Sequence, residues 1–172
     1  MDHPAFVEHL HAAFPGQILG SNEFRGDLSV TVARDAIVDV ARHLRDTPEF
    51  AFVALTNLCA VDYLGRDPRF EVVYHLVSYA NRRRICLKVG LPEHEAVVPS
   101  LTGLWHGANW HEREAFDMFG IHFSGHPNLE RILMPEDWQG HPLRKDVPLG
   151  EEEVAFTFNE ERIYARKPFA RE

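Results

Sequence analysis

Hydrophobic periodicity organises the first two thirds of this 172-residue chain and then stops. Beyond Gly120, Pro127, Pro135, Pro142 and Pro148 return before a helical or strand period can establish itself. Each removes a backbone donor and biases the residue before it away from the helical region, so that stretch cannot build a second core. The length suits one domain. Residues 1–124 therefore read as an α+β domain, with helices packed on a mostly antiparallel sheet. Residues 125–172 read as an extended, proline-rich C-terminal arm that must lie against another surface.

Within the domain the punctuation is clear. Asp2 and Pro4 can open a helix whose Phe6, Leu10, Ala13 and Phe14 share a face, and Pro15-Gly16 stops it. Ile18-Leu19, and then Leu28, Val30 and Val32 alternating with polar residues, predict two strands joined through Arg25-Gly26-Asp27. Asp35 is positioned to cap a helix with Ile37, Val40, Ala41 and Leu44 at core spacing, and Thr47-Pro48 ends it. The run from Phe50 to Tyr63 predicts a turn and then a buried strand. After a turn at Leu64–Pro68, Phe70–Tyr79 and the alternating Ile85, Leu87, Val89 and Leu91 predict a hairpin. An apolar turn ending in Trp105 precedes a helix over Trp110–Phe119.

The formal net charge of −8, with no basic block beyond Arg82-Arg83-Arg84, excludes a nucleic-acid face, and the triplet reads as a solvated turn between strands. The run Phe50–Leu64 is too short and too often interrupted to span a bilayer, and the start Met1-Asp2-His3-Pro4 has no secretory character. Membrane contact is expected only through partners. Cys59 and Cys86 stand apart from any C-x-x-C pair and read as reduced structural residues.

His111-Glu112 invites a zinc reading, but H-E-x-x-H requires a second histidine where Ala115 stands. His122 and His126 could join His111 in space, which leaves a free-standing His-ligated metal enzyme as the alternative of another class. A capping box accounts for more: Asn109 as N-cap, Glu112 bonding back to its N–H, and Gly120 closing the helix in the left-handed region. Arg113, Glu114, Asp117 and Trp110 then fall on the opposite, outward side, where Arg113 and Asp117 can pair. Trp and Arg on one patch are interface residue types. Arg144-Lys145-Asp146 predicts a docking contact or a local ion pair. The run Glu151-Glu152-Glu153 reads as solvated linker. Gly125-His126-Pro127 recurs as Gly140-His141-Pro142.

The run Ala108-Asn109-Trp110-His111-Glu112-Arg113-Glu114-Ala115-Phe116-Asp117-Met118-Phe119-Gly120-Ile121 closely resembles the signature of the thirty-kilodalton subunit of bacterial NADH–quinone oxidoreductase (complex I). The likeness continues through Gly125–Leu133 and Gly140–Leu149, and Leu58–Tyr63 and Phe70–Leu76 share it. It implies a structural subunit of the peripheral arm on the cytoplasmic side of the plasma membrane. Such a subunit would hold no cofactor, with FMN and iron–sulfur clusters held by other peripheral-arm subunits. Its principal neighbour would be the subunit that helps form the quinone pocket. The equivalent subunit of a membrane-bound hydrogenase or an F420H2 dehydrogenase is the near alternative. On the resemblance, Asn109, Trp110, Glu112, Arg113, Glu114, Asp117, Gly120, His126, Pro127, Arg131, His141, Pro142, Arg144, Lys145 and Asp146 are structural or interface residues, and none is catalytic.

Overall fold

The structure, a computed structural model, describes residues 3–147 together with 161, 162 and 165. Asp2, Pro148 and the acidic run Glu151–Glu153 lie outside the described residues. Helix α1 (His3–Ala13) leads into strands β1 (Ile18–Phe24) and β2 (Asp27–Val32), helix α2 (Ile37–Asp46), and strands β3 (Ala54–Asp62), β4 (Phe70–Ser78) and β5 (Arg83–Leu91). Strand β6 (Val97–Pro99), helix α3 (Ala108–Phe119) and strand β7 (His122–Ser124) follow. The main sheet has the order β1-β2-β5-β4-β3, antiparallel except where β2 runs parallel to β5, and β6 pairs with β7 in parallel.

One face of the sheet makes the core. Leu58, Tyr74, Leu87 and Val30 stand in one cross-strand row, and every second residue of β4 and β5 is buried with them. Strand periodicity of two puts the remaining residues, such as Glu71, His75, Lys88 and Arg84, on the other face. Against the core face lie α1 through Phe6 and Leu10, α2 through Ile37, Val40, Ala41 and Leu44, and α3 through Ala108 and Ala115. The His9 and His43 rings stack between α1 and α2, their Nε2 atoms 3.0 Å apart.

Two local expectations need correction. β3 is an edge strand, not a buried one: only Leu58 and Asp62 of its nine residues are buried. Asp35 does not cap α2. It lies in a single 3₁₀ turn, Arg34–Ala36, that runs straight into the helix, and its carboxylate meets Arg34. The three-residue strands β6 and β7 are too short to show a period. They tie Ala96–Pro99 to the chain just after α3.

The proline-broken segment is also different. From Gly125 to Val147 it does not stand away from the domain but wraps around α3, with Leu129 packed against the core. Gly120 shows why the wrap is tight: its φ is 75°, and a Cβ there would lie 2.5 Å from His141 Nε2 and 2.6 Å from Arg144 Nη2. Gly16 has the same φ in open space. Gly16→Ala should therefore cost about 1–2 kcal/mol of backbone strain alone. Gly120→Ala should cost roughly 3 kcal/mol or more, because the His141 and Arg144 side chains must also give up their places over the helix end. Urea unfolding of the two variants checks this, and equal losses would count against a packed arm.

Candidate functional site: a helix clamped at both ends

Helix α3 begins two residues before the expected start, after Gly107, and no side chain caps it. The preceding turn makes an Asn109 cap unnecessary: Ala108 N–H donates to Trp105 O and Asn109 N–H to His106 O. Glu112 is fully buried and leaves its own helix end alone. It accepts from Ser100 Oγ at 2.6 Å and Leu101 N at 2.7 Å, so it caps the turn after β6 and pins that turn to α3. The capping-box expectation fails on the partner, although a backbone-capping role for Glu112 survives.

Asp117 reverses its expectation outright. It is fully buried, not outward, and Arg113 does not pair with it. Its Oδ2 accepts three consecutive backbone N–H groups, from Ile132 at 3.1 Å, Leu133 at 2.8 Å and Met134 at 2.9 Å, while Oδ1 takes Arg131 Nη1 at 2.7 Å. Such successive donors form an anion nest. Arg113 reaches the carbonyls of Glu130 and Arg131 and lies 5.3 Å from the Trp110 ring. Helical spacing alone puts Asp117 among polar neighbours; only the returning arm buries it.

The two Gly-His-Pro copies clamp opposite ends of this helix. Gly125 and Gly140 both take positive φ, 79° and 81°. His126 Nδ1 accepts the Asn128 N–H at 3.0 Å, which assigns the proton to Nε2, and Nε2 donates to Asn109 O at 3.3 Å near the helix start. His141 Nδ1 donates to Asp117 O at 3.0 Å near the helix end. Leu143 N–H goes to Met118 O at 3.1 Å, Arg144 Nε to Phe119 O at 2.6 Å, and Gly120 N–H to Phe116 O at 2.8 Å. Asp117 O, Met118 O and Phe119 O, which the helix itself leaves orphaned, are thereby occupied.

The arm is then fastened to the sheet. Arg69, buried just before β4, makes a two-pronged contact with Asp62, the last residue of β3, at 3.0 and 2.9 Å. It also reaches Glu93 and, at 2.9 Å, Asp146, while Lys145 N–H donates to Asp62 Oδ2 at 2.8 Å. The guanidinium of Arg69 holds both the Asp62 and Asp146 carboxyls below the usual range. The Arg144-Lys145-Asp146 run is thus a local anchor. Sequence reasoning misses Asp62 and Arg69. The available signal is one carboxylate closing an apolar run with an arginine seven residues on.

The remaining signature residues divide simply. Glu114 and Pro127 are exposed, and Pro142 is half-buried. Trp110 is 57% exposed. Among the described residues no group of three or more His, Cys, Asp or Glu is placed to hold a metal, and His111 lies in a groove of ≈ 300 Å³ between α3 and β3 with Cys59 and Leu143. No described helix is long and apolar enough to cross a membrane.

The model of the respiratory-chain NADH dehydrogenase 30 Kd subunit matches residues 30–153, and thus covers the clamped helix, both Gly-His-Pro copies and the Arg69 anchor. The chain belongs to that family. An NADH-quinone oxidoreductase subunit of Roseiflexus sp. (strain RS-1) is 73% identical over 172 residues, 100% of this chain and 99% of the relative. The subunit of the same name from Herpetosiphon aurantiacus is 55% identical over the same span. A trypsin-resistant fragment of Nqo5 superposes with a TM-score of 0.62 at 31% identity, over 75% of this chain and 100% of the fragment. A chain of the archaeal membrane-bound sulfane sulfur reductase gives 0.72 at 20% identity over 98% of this chain and 92% of that one, which speaks to the fold alone.

The two buried carboxylates of this 30 Kd subunit behave oppositely. Burial pushes the Glu112 carboxyl up to about 7 against the pull of Ser100 and Leu101. Burial also opposes ionisation of Asp117, but the Met134, Leu133 and Ile132 amides and Arg131 outweigh it, and that carboxyl lies below the ordinary range. Between about pH 4.5 and 7 the folded protein therefore retains a proton on Glu112 that the unfolded chain has lost. This contribution is fully present below pH 4.5 and vanishes as pH rises through 7, amounting to roughly 3 kcal/mol at most. Wild-type stability should fall over that window and Glu112→Gln should flatten the fall, as measured by urea unfolding from pH 4.5 to 8. A parallel profile in both proteins would count against the Glu112 assignment. In the same assay Asp117→Ala should cost about 3–5 kcal/mol. Arg113→Ala, on an accessible contact, should cost under about 1 kcal/mol.

Proposed function

We propose that the chain is a cofactor-free assembly subunit of the peripheral arm of proton-translocating NADH–quinone oxidoreductase. On this reading FMN and iron–sulfur clusters in other subunits carry electrons from NADH to quinone. The chain lies against the neighbouring peripheral-arm protein that helps form the quinone pocket, and it reaches the cytoplasmic face of the plasma membrane through the complex. It has no active site of its own.

One observation carries the reading: most of the charged signature residues are occupied internally. Glu112, Asp117, Arg131, Arg144 and Asp146 each hold another part of the same chain. A carboxylate saturated by backbone amides has no lone pair free for a substrate. Beside exposed polar residues such as Glu114, α3 and the arm offer outward three large apolar side chains: Trp110, Leu133 at 62% exposure and Leu143 at 55%. Side chains of this kind on a rigid backbone suit a protein interface.

Trp110→Ala combined with Leu133→Ser should leave the melting temperature of the isolated chain unchanged. It should reduce co-purification with the quinone-pocket neighbour roughly tenfold or more. Undiminished assembly of the variant into membranes would overturn the interface assignment. Stoichiometric flavin, iron or zinc in the isolated full-length chain would overturn the cofactor-free part.

A further inference from the structure

A second surface lies at the opposite end of the sheet from the Arg69 anchor, about 30 Å away along the nine residues of β4. β1 turns into β2 there through Arg25-Gly26, and β4 turns into β5 through Tyr79–Arg82. The parallel register of β2 on β5, Ser29 opposite Cys86, sets the two turns side by side. Between them and α1 is a cleft of ≈ 220 Å³, lined by Phe6, Leu28, Phe52 and Ile85 and rimmed by Arg82 and Arg83.

The charge here runs against the rest of the molecule. The chain carries −8, and among the described residues Arg34, Arg42, Arg45, Arg69 and Arg131 pair with carboxylates. At this end Arg84 takes Asp27 and His3 takes Glu23, while the neighbouring Glu49 receives Asn81 through its backbone carbonyl. Arg25, Arg82 and Arg83 have no carboxylate partner among the described residues. Arg25 rests only over Phe24, which is 65% exposed, and Tyr79 beside Arg82 is 68% exposed.

Arg25 and Arg82 sit in the left-handed region at φ 53° and 51°, where glycine or asparagine is cheaper. Ala51 takes the same conformation at φ 46°, so the backbone marks tight turns, and it sets both arginines at the turn tips. A bilayer surface would leave the cleft unfilled. A peptide supplies carboxylates for the rim and a side chain for the apolar floor.

We infer that this end of the sheet docks an acidic, extended segment of another protein chain, whose carboxylates pair with Arg25, Arg82 and Arg83 and whose apolar side chain enters the cleft. The inference goes beyond the assembly role and uses none of the α3 surface.

The test is made in the intact complex purified from native membranes, with a photoreactive benzophenone side chain replacing Tyr79 and, separately, Trp110. Illumination at position 79 should cross-link a segment of another protein that mass spectrometry shows to carry at least two Asp or Glu within a few residues of the adduct. Arg82→Glu with Arg83→Glu should lower that yield at least fivefold and leave the adducts at position 110 unchanged. Arg82→Gly should also lower it while the melting temperature of the isolated chain holds or rises, because the backbone strain is relieved. Adducts at position 79 to phospholipid, to a segment without acids, or to nothing would overturn the inference. Loss of adducts at position 110 alone would instead overturn the interface proposed for α3.

Discussion

The C-terminal end of α3 leaves the carbonyls of Asp117, Met118 and Phe119 without helical partners, and the rest of the structure is arranged around how they are satisfied. A solvent-exposed terminus would leave them to water. Here Gly120 turns the chain away in the left-handed region, and His141, Leu143 and Arg144 come back from more than twenty residues later to occupy Asp117 O, Met118 O and Phe119 O. The positive end of Arg144 meets the negative end of the helix dipole, so the contact is favoured twice. Because the capping groups come from the arm, helix end and arm position are one structural unit. Glycine at 120 is required both by its φ and by the arm that passes over it.

Asp117 and Arg69 extend the same logic to the two sides of the helix. A buried carboxylate is costly unless its lone pairs are taken up, and Asp117 has three amides and a guanidinium aimed at it. Those amides belong to Ile132–Met134, so the carboxylate fixes the arm's course before it returns to cap the helix. Arg69 does the converse with a buried cation and the carboxylates of Asp62, Glu93 and Asp146. It lies 4.9 Å from the Phe70 ring, with Arg144 5.3 Å from the same ring. Prolines that forbid secondary structure in the arm are compatible with this, because its backbone donors are met by side chains of the domain.

Most of the fold was legible because hydrophobic period is a local signal. The alternation of Ile85, Leu87, Val89 and Leu91 and the helical spacing of Ile37, Val40, Ala41 and Leu44 need no knowledge of what they pack against. The status of β3 was not legible, since an apolar run looks the same at an edge as in the middle of a sheet. The site was legible as a set of residues but not as a set of contacts. Asn109, Glu112 and Gly120 suggested a self-contained capped helix, and only Gly120 acts that way. Glu112 and Asp117 find partners 11 to 17 positions away, and Asp62 meets Lys145 across 83. No spacing rule reaches that far.

Two histidines in matching tripeptides illustrate what the long-range contacts add. In sequence, Gly125-His126-Pro127 and Gly140-His141-Pro142 look like a short repeat with no function. In the fold each glycine makes a left-handed turn and each histidine delivers one N–H to a carbonyl of α3, through Nε2 at one end and Nδ1 at the other. Different ring nitrogens are used as the two passes of the arm reach opposite ends of the helix. Burial pulls the His126 ring below its ordinary range, which keeps it neutral beside the protonated form of Glu112, 3.9 Å away. Imidazoles and carboxylates that would suggest acid–base chemistry from their residue types alone are here engaged by hydrogen bonds within the chain. They act by fixing distances between backbone segments, and the helix they hold presents Trp110 on a frame braced at both ends.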